Sequence, residues 1–165
     1  MQRKKTLTFA ILLVVLGIIM SYYILYKEST KNLSLDLYEL YTTINEDGTI
    51  KYRATVKAEN FFGDSIKLNH VSFSINDTIL DHDSISLLLK DNSVYILVNG
   101  TTTNTELRKT VEEYKMLDVE IEVEGRNGNG VTFQGSYGRV IKLYYHAFGT
   151  NTYYFTKFDI FGING

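Results

Sequence analysis

Three histidines, His70, His82 and His146, and no cysteine set the range of chemistry open to this 165-residue chain. Without a thiol there is no cysteine nucleophile, no disulfide and no thiolate metal site. The densest group of potential ligands is Asp81-His82-Asp83. Successive residues of an extended chain point to alternate faces, and no second His/Glu group is evident, so these three read as a loop rather than a metal site. Ser84 and Ser86 follow closely, but no nucleophile-elbow motif surrounds them, and nearness in sequence does not assemble a triad. His70 falls inside a strand pattern, as a packed or edge histidine. Glu120, Glu122 and Glu124 alternate as a solvated strand face does; an acid/base pair needs one carboxyl in a shifted environment. Gly125, Gly128 and Gly130 do not lead into a helix, which removes the phosphate-cradle reading. The expectation is a protein that is not an enzyme, with no catalytic residue, metal or cofactor.

Two other kinds of candidate remain. Asn32, Asn76 and Asn99 each begin an Asn-x-Ser/Thr sequon, so all three are possible glycosylation sites if the domain meets a glycosylating compartment. Asn32 lies in a polar linker, and Asn99 with Gly100 has the composition of a turn. The tail, YYHAFGTNTYYFTKFDIFGING, is the most aromatic stretch of the chain. Tyr144, Tyr145, Phe148, Tyr153, Tyr154, Phe155 and Phe158 either pack a final hairpin turning at residues 149–151 or form a partner surface, with an edge strand able to pair with a neighbour.

The elements that must position these residues have a period of two. Ile50, Tyr52, Ala54 and Val56 alternate with Lys51, Arg53, Thr55 and Lys57; Leu117, Val119, Ile121 and Val123 alternate with Asp118, Glu120, Glu122 and Glu124. A basic outer row and an acidic outer row suggest neighbouring strands joined by cross-strand charge pairs. Glu46-Asp47-Gly48 signals a hairpin tip, and Asp91-Asn92 another between SISLLLK and SVYILVNG. The alternation of IKLNHVSFSIN slips near His70, as at a bulge. TNTELRKTVEEYKM alone has helical spacing, with Thr103 or Asn104 as cap and Leu107, Val111 and Tyr114 on one face.

The N-terminus is of another kind. MQRKK precedes TLTFAILLVVLGIIMSYYILY, about twenty residues without a charge. A helix over residues 6–26, rising about 1.5 Å per residue, spans roughly 30 Å, a bilayer's hydrocarbon core. Basic residues near the two ends favour an N-terminus in the cytoplasm. A cleaved signal peptide is the competing reading, but its apolar core is shorter and ends in small residues, whereas residues 20–26 are bulky. The expected organisation is a basic lead and transmembrane signal anchor over 1–26, a polar linker over 27–34, and a β-sandwich over 35–165 with an aromatic C-terminal hairpin. Net charge is −2, with both signs interspersed, so no nucleic-acid partner is expected.

The order of "ATVKAENFFG", "IKLNHVSFSINDTIL", an apolar strand pair, a helix and "LDVEIEVEGRNGNGVTFQG" resembles the late-embryogenesis-abundant group 2 domain of the water-stress and hypersensitive-response type. Asn60, Val71, Phe73, Ile75 and Asn76 occupy matching positions, while Phe61 stands where the family has proline. The resemblance covers roughly residues 35–143 and implies an immunoglobulin-like antiparallel β-sandwich with one short helix, a binding or protective module without catalytic residues. Together these readings predict a mainly β, single-pass membrane protein: a non-enzymatic, extracytoplasmic sandwich at the cell membrane that binds or shields cell-envelope components. Its partners would be membrane lipid through the N-terminal helix and envelope or surface proteins. The alternative is a structural subunit of an envelope machine or surface filament, archaellum-stator-like or pilin-like.

Overall fold

The computed structural model describes residues 2–28, 30–59, 65–90, 93–145 and 151–157, with side chains of residues 11–25 in the first segment. Two sheets and two helices make the described chain mainly β, an arrangement consistent with a β-sandwich. The five-stranded sheet runs β1 (Lys31–Asn32), β9 (Thr132–Lys142), β8 (Met116–Asn127), β4 (Ile66–Ile75), β5 (Thr78–Ile79). The six-stranded sheet runs β10 (Tyr144–Tyr145), β11 (Thr152–Thr156), β2 (Ser34–Ile44), β3 (Ile50–Glu59), β7 (Ser93–Thr102), β6 (Ser84–Lys90). Pairing is antiparallel except between β1 and β9. β1 and the start of β2 occupy the stretch expected as linker.

Alternation decides which faces meet. Ile50, Tyr52, Ala54 and Val56 on β3 are buried with Leu117, Val119, Ile121 and Val123 on β8, and Phe73 lies between the sheets with its ring stacked 5.4 Å from that of Tyr52. The expected pairing of these two strands is corrected: β3 lies between β2 and β7, whereas β8 lies between β4 and β9. Their charged rows therefore project from opposite outer faces. An apolar face drives two strands into one core whichever sheets they join, so alternation alone does not specify neighbours.

Three local expectations hold. Asn45 and Thr49 close the hairpin over Asp47 and Gly48, where Gly48 takes a φ of 84° and the Asp47 carboxylate accepts from the Thr49 amide and hydroxyl. Those two bonds, the hydroxyl's first, hold the Asp47 carboxyl below the usual carboxylate range. The register of β4 against β8 slips between Leu68 and His70, as a bulge there requires. Helix α2 (Thr105–Glu113) is capped by the Asn104 side chain accepting from the Leu107 amide at 2.9 Å. Leu107 and Val111 are buried, but Tyr114 is exposed, because the helix stops there and Lys115 turns the chain with a φ of 55°.

Gln2–Glu28 forms a 27-residue helix, α1, whose described apolar side chains are exposed. Among the described residues no helix is long and apolar enough to cross a membrane. The expectation drew on residues 6–26, of which 6–10 and 26 lie outside the described side chains. The transmembrane anchor, the single-pass cell-membrane localisation, the extracytoplasmic envelope setting and the lipid partner are corrected accordingly.

Candidate functional site

Strand β6 ends the six-stranded sheet and pairs only with β7 among the described residues. Register places Ile85, Leu87 and Leu89 opposite the buried Val98, Ile96 and Val94, on the core side of the sheet. Even so, Leu87 is 37% and Leu89 48% exposed, and Leu88, on the outer side, is 54% exposed. The matching side of the other sheet is equally bare. β5 pairs with β4 at Ser74 and Ile75, and the Leu80 amide donates to the Phe73 carbonyl at 2.9 Å, so the β4 edge from Ile66 to Ser72 has no strand neighbour among the described residues. One flank of the sandwich thus carries an unpaired backbone edge and three successive half-exposed leucines. Chemically it can take an extended strand: main-chain groups supply the bonds and leucines the apolar contact.

This flank was missed by the reading of sequence motifs, although SISLLLK carries a signal. Under strict alternation no three consecutive positions can all face a core, so at least one of Leu87, Leu88 and Leu89 must face outward.

Asp81-His82-Asp83, all exposed, form the segment entering β6, and they are tied down as structure. The Tyr52 hydroxyl donates to the Asp81 carbonyl at 2.7 Å, the Asp83 amide to the Asn99 carbonyl at 2.8 Å, and the Thr101 hydroxyl to the Asp83 carboxylate at 3.0 Å. No group of three metal-ligating side chains occurs among the described residues. Glu120, Glu122 and Glu124 are exposed on the outer face of β8, opposite Ser74, Ser72 and His70 of β4. His146 lies outside the described residues.

The sequon asparagines differ in setting. Asn32 is exposed on β1, with its carbonyl oxygen accepting from the Gln134 amide. Asn76 and Asp77, with φ of 49° and 60°, form the two-residue turn between β4 and β5, and the Asn76 side chain accepts from the Asp118 amide at 2.8 Å. Asn99 is not in a turn: it lies inside β7, half-buried between Arg53 and Ser84.

In the tail, β10 and β11 pair antiparallel, Tyr144 with Tyr154 and Tyr145 with Tyr153, and β11 extends the sheet along β2. Tyr153 is buried, Tyr154 and Phe155 are half-buried, and Tyr144 and Tyr145 are about half exposed, at 51% and 50%. Phe148 and Phe158 lie outside the described residues. Lys157 is ion-paired to Asp36, which fastens the end of this strand to β2.

Comparison with known proteins adds a local likeness. A stretch of 60 residues, 36% of the chain, is 30% identical to the DNA polymerase sliding clamp of Pyrococcus horikoshii, and 59 residues are 32% identical to DNA polymerase sliding clamp 1 of Thermococcus kodakarensis. The sliding clamp of Thermococcus gammatolerans is 30% identical over 60 residues. The chain spans about a quarter of these curated relatives' length, 24% in each case. No protein-family profile matches. The expected absence of a nucleic-acid partner is corrected by this likeness to proteins named for DNA polymerase, and the envelope reading gains nothing from it.

Proposed function

We propose that this chain is a non-enzymatic binding module that captures a protein segment by strand addition along β6. One observation carries the reading: Leu87, Leu88 and Leu89 stand half-exposed on an edge strand whose outer backbone is unpaired among the described residues. Soluble folds normally blunt such an edge with proline, charge or a bulge. Here the register of β6 on β7 runs unbroken, Lys90 at the strand's end is its sole charge, and the chain contains no proline. The test is a photo-crosslinking amino acid placed at position 88 and, separately, at Ser136 on the outer face of the other sheet, in cells that produce the protein. Adducts confined to position 88 are expected; equal labelling at both positions, or none at 88, overturns the reading.

A second reading rests on the sliding-clamp likeness: a component that acts beside a DNA polymerase. Exposed Lys51 and Arg53 stand two residues apart on the outer face of β3, where they can meet phosphate, while the acidic row of β8 repels it. Binding to duplex DNA that weakens with salt and is lost in Arg53→Glu supports this reading; DNA binding unaffected by that substitution removes it.

A further inference from the structure

We infer that the segment captured by β6 is the β6 of a second copy of this chain, paired antiparallel about a two-fold axis at Leu88. The inference rests on the strand-addition reading and names its partner. A two-fold axis normal to the sheet sets each residue opposite its symmetry partner with side chains on the same face. With the axis at Leu88, that residue meets its own copy on the outer face, and Leu87 meets Leu89 of the second copy, twice, on the core side. Ser86 then faces Lys90. The half-exposed leucines fill the centre of the new pairing, and the one charged residue of β6 faces a hydroxyl rather than a like charge. Shifting the axis to Ser86 would put Leu88 opposite Ser84, Leu89 opposite Asp83 and Lys90 opposite His82, leaving two of the three leucines against polar partners.

The pattern of β6 is therefore self-complementary, and only the axis at Leu88 sets all three leucines against leucines. An unrelated strand would have to bring its own apolar run of matching length, whereas a second copy supplies it by symmetry. Pairing of this kind is isologous and closes at two copies, joining the six-stranded sheets into one continuous sheet. With β6 alone at its centre the contact is small, which places it among transient interfaces.

The chain has no cysteine, which makes the register directly readable in the full-length protein. In antiparallel strands, non-hydrogen-bonded partners lie about 4.5 Å apart and hydrogen-bonded partners about 5.5 Å apart at Cα, both within reach of a disulfide. Leu88→Cys alone is expected to form disulfide dimers under mild oxidation. A mixture of Leu87→Cys and Leu89→Cys chains is expected to cross-link about tenfold faster than either chain by itself, the ratio that separates register from collision. Ser136→Cys, on the other sheet, reports random encounter, including any driven by the exposed apolar face of α1. If Leu88→Cys is no faster than Ser136→Cys, or if the mixture shows no advantage, self-pairing is overturned. Adducts at position 88 with other proteins, alongside that result, leave strand addition standing and remove only the second copy; no adduct at position 88 removes both.

Discussion

The Tyr52 hydroxyl donates a 2.7 Å hydrogen bond to the carbonyl of Asp81, joining a strand inside the six-stranded sheet to the segment that feeds its edge strand. Gly100 makes room for this bond, since a Cβ there would overlap both the hydroxyl and the carbonyl. The position of β6, and hence of Leu87 to Leu89, depends on that junction.

Burial, and then the Asp83 and Asp81 carboxylates, push the Tyr52 hydroxyl up to about 12 from an ordinary value of 10.0. Its folded-state value exceeds its unfolded one, so its stabilising contribution is complete below pH 10 and is lost as pH rises from about 10 to about 12. Tyr41, Tyr137 and Tyr153 are raised as well, chiefly by burial, and add to the same alkaline loss. Tyr52→Phe should lower stability at neutral pH by about 1 kcal/mol, from the bond removed, and should make the alkaline loss shallower. Chemical denaturation at neutral pH and across pH 9 to about 12 checks both parts; an unchanged alkaline slope contradicts the assignment.

Lys115 sits just past helix α2 with a φ of 55°, and its amide donates to the Thr110 carbonyl at 3.1 Å. A side chain in that left-handed conformation is strained where glycine is not. Lys115→Gly should therefore stabilise the domain by about 0.5–1 kcal/mol, read as a rise in denaturation midpoint at constant slope. A loss of stability would show that the lysine makes a contact worth more than the strain.

Glu120, Glu122 and Glu124 stand two residues apart on the exposed face of β8, opposite serines and a histidine rather than the basic row of β3. Replacing the central one, Glu122→Lys, exchanges repulsion for attraction within the row and should add about 0.2–1 kcal/mol at low salt. The gain should fade as ionic strength approaches about 1 M, where screening acts within about 3 Å. A gain insensitive to salt would place its origin elsewhere.

How much of this was legible beforehand follows from which forces are local. The inward faces of β3 and β8, the Asp47-Gly48 hairpin, the bulge near His70 and the Asn104 cap all depend on residues within a few positions of one another. Sheet partnership does not, and the basic row of β3 and acidic row of β8 suggested a pairing that the topology separates. Asn99-Gly100 read as a turn because glycine there usually supplies a positive φ; here it supplies space beside Tyr52 and Asp81. SISLLLK read as one of an apolar pair of strands, but its place at the sheet edge, beside a β5 of only two residues in the facing sheet, is set by strand order and not by local pattern. The apolar run of α1 matched a membrane span in length over residues 6–26, but among the described residues no helix is long and apolar enough to cross a membrane.

The most direct measurement is hydrogen exchange at the amides of β6 in the full chain, compared between dilute protein and protein concentrated or bound to the partner captured at position 88. Amides bonded to β7 are already protected, while the alternating outward amides are free to exchange. Strand addition predicts slower exchange at the outward amides alone, with alternate residues of Ser84–Lys90 changing. Slower exchange elsewhere on the molecule, with the outward amides of β6 unchanged, would contradict it.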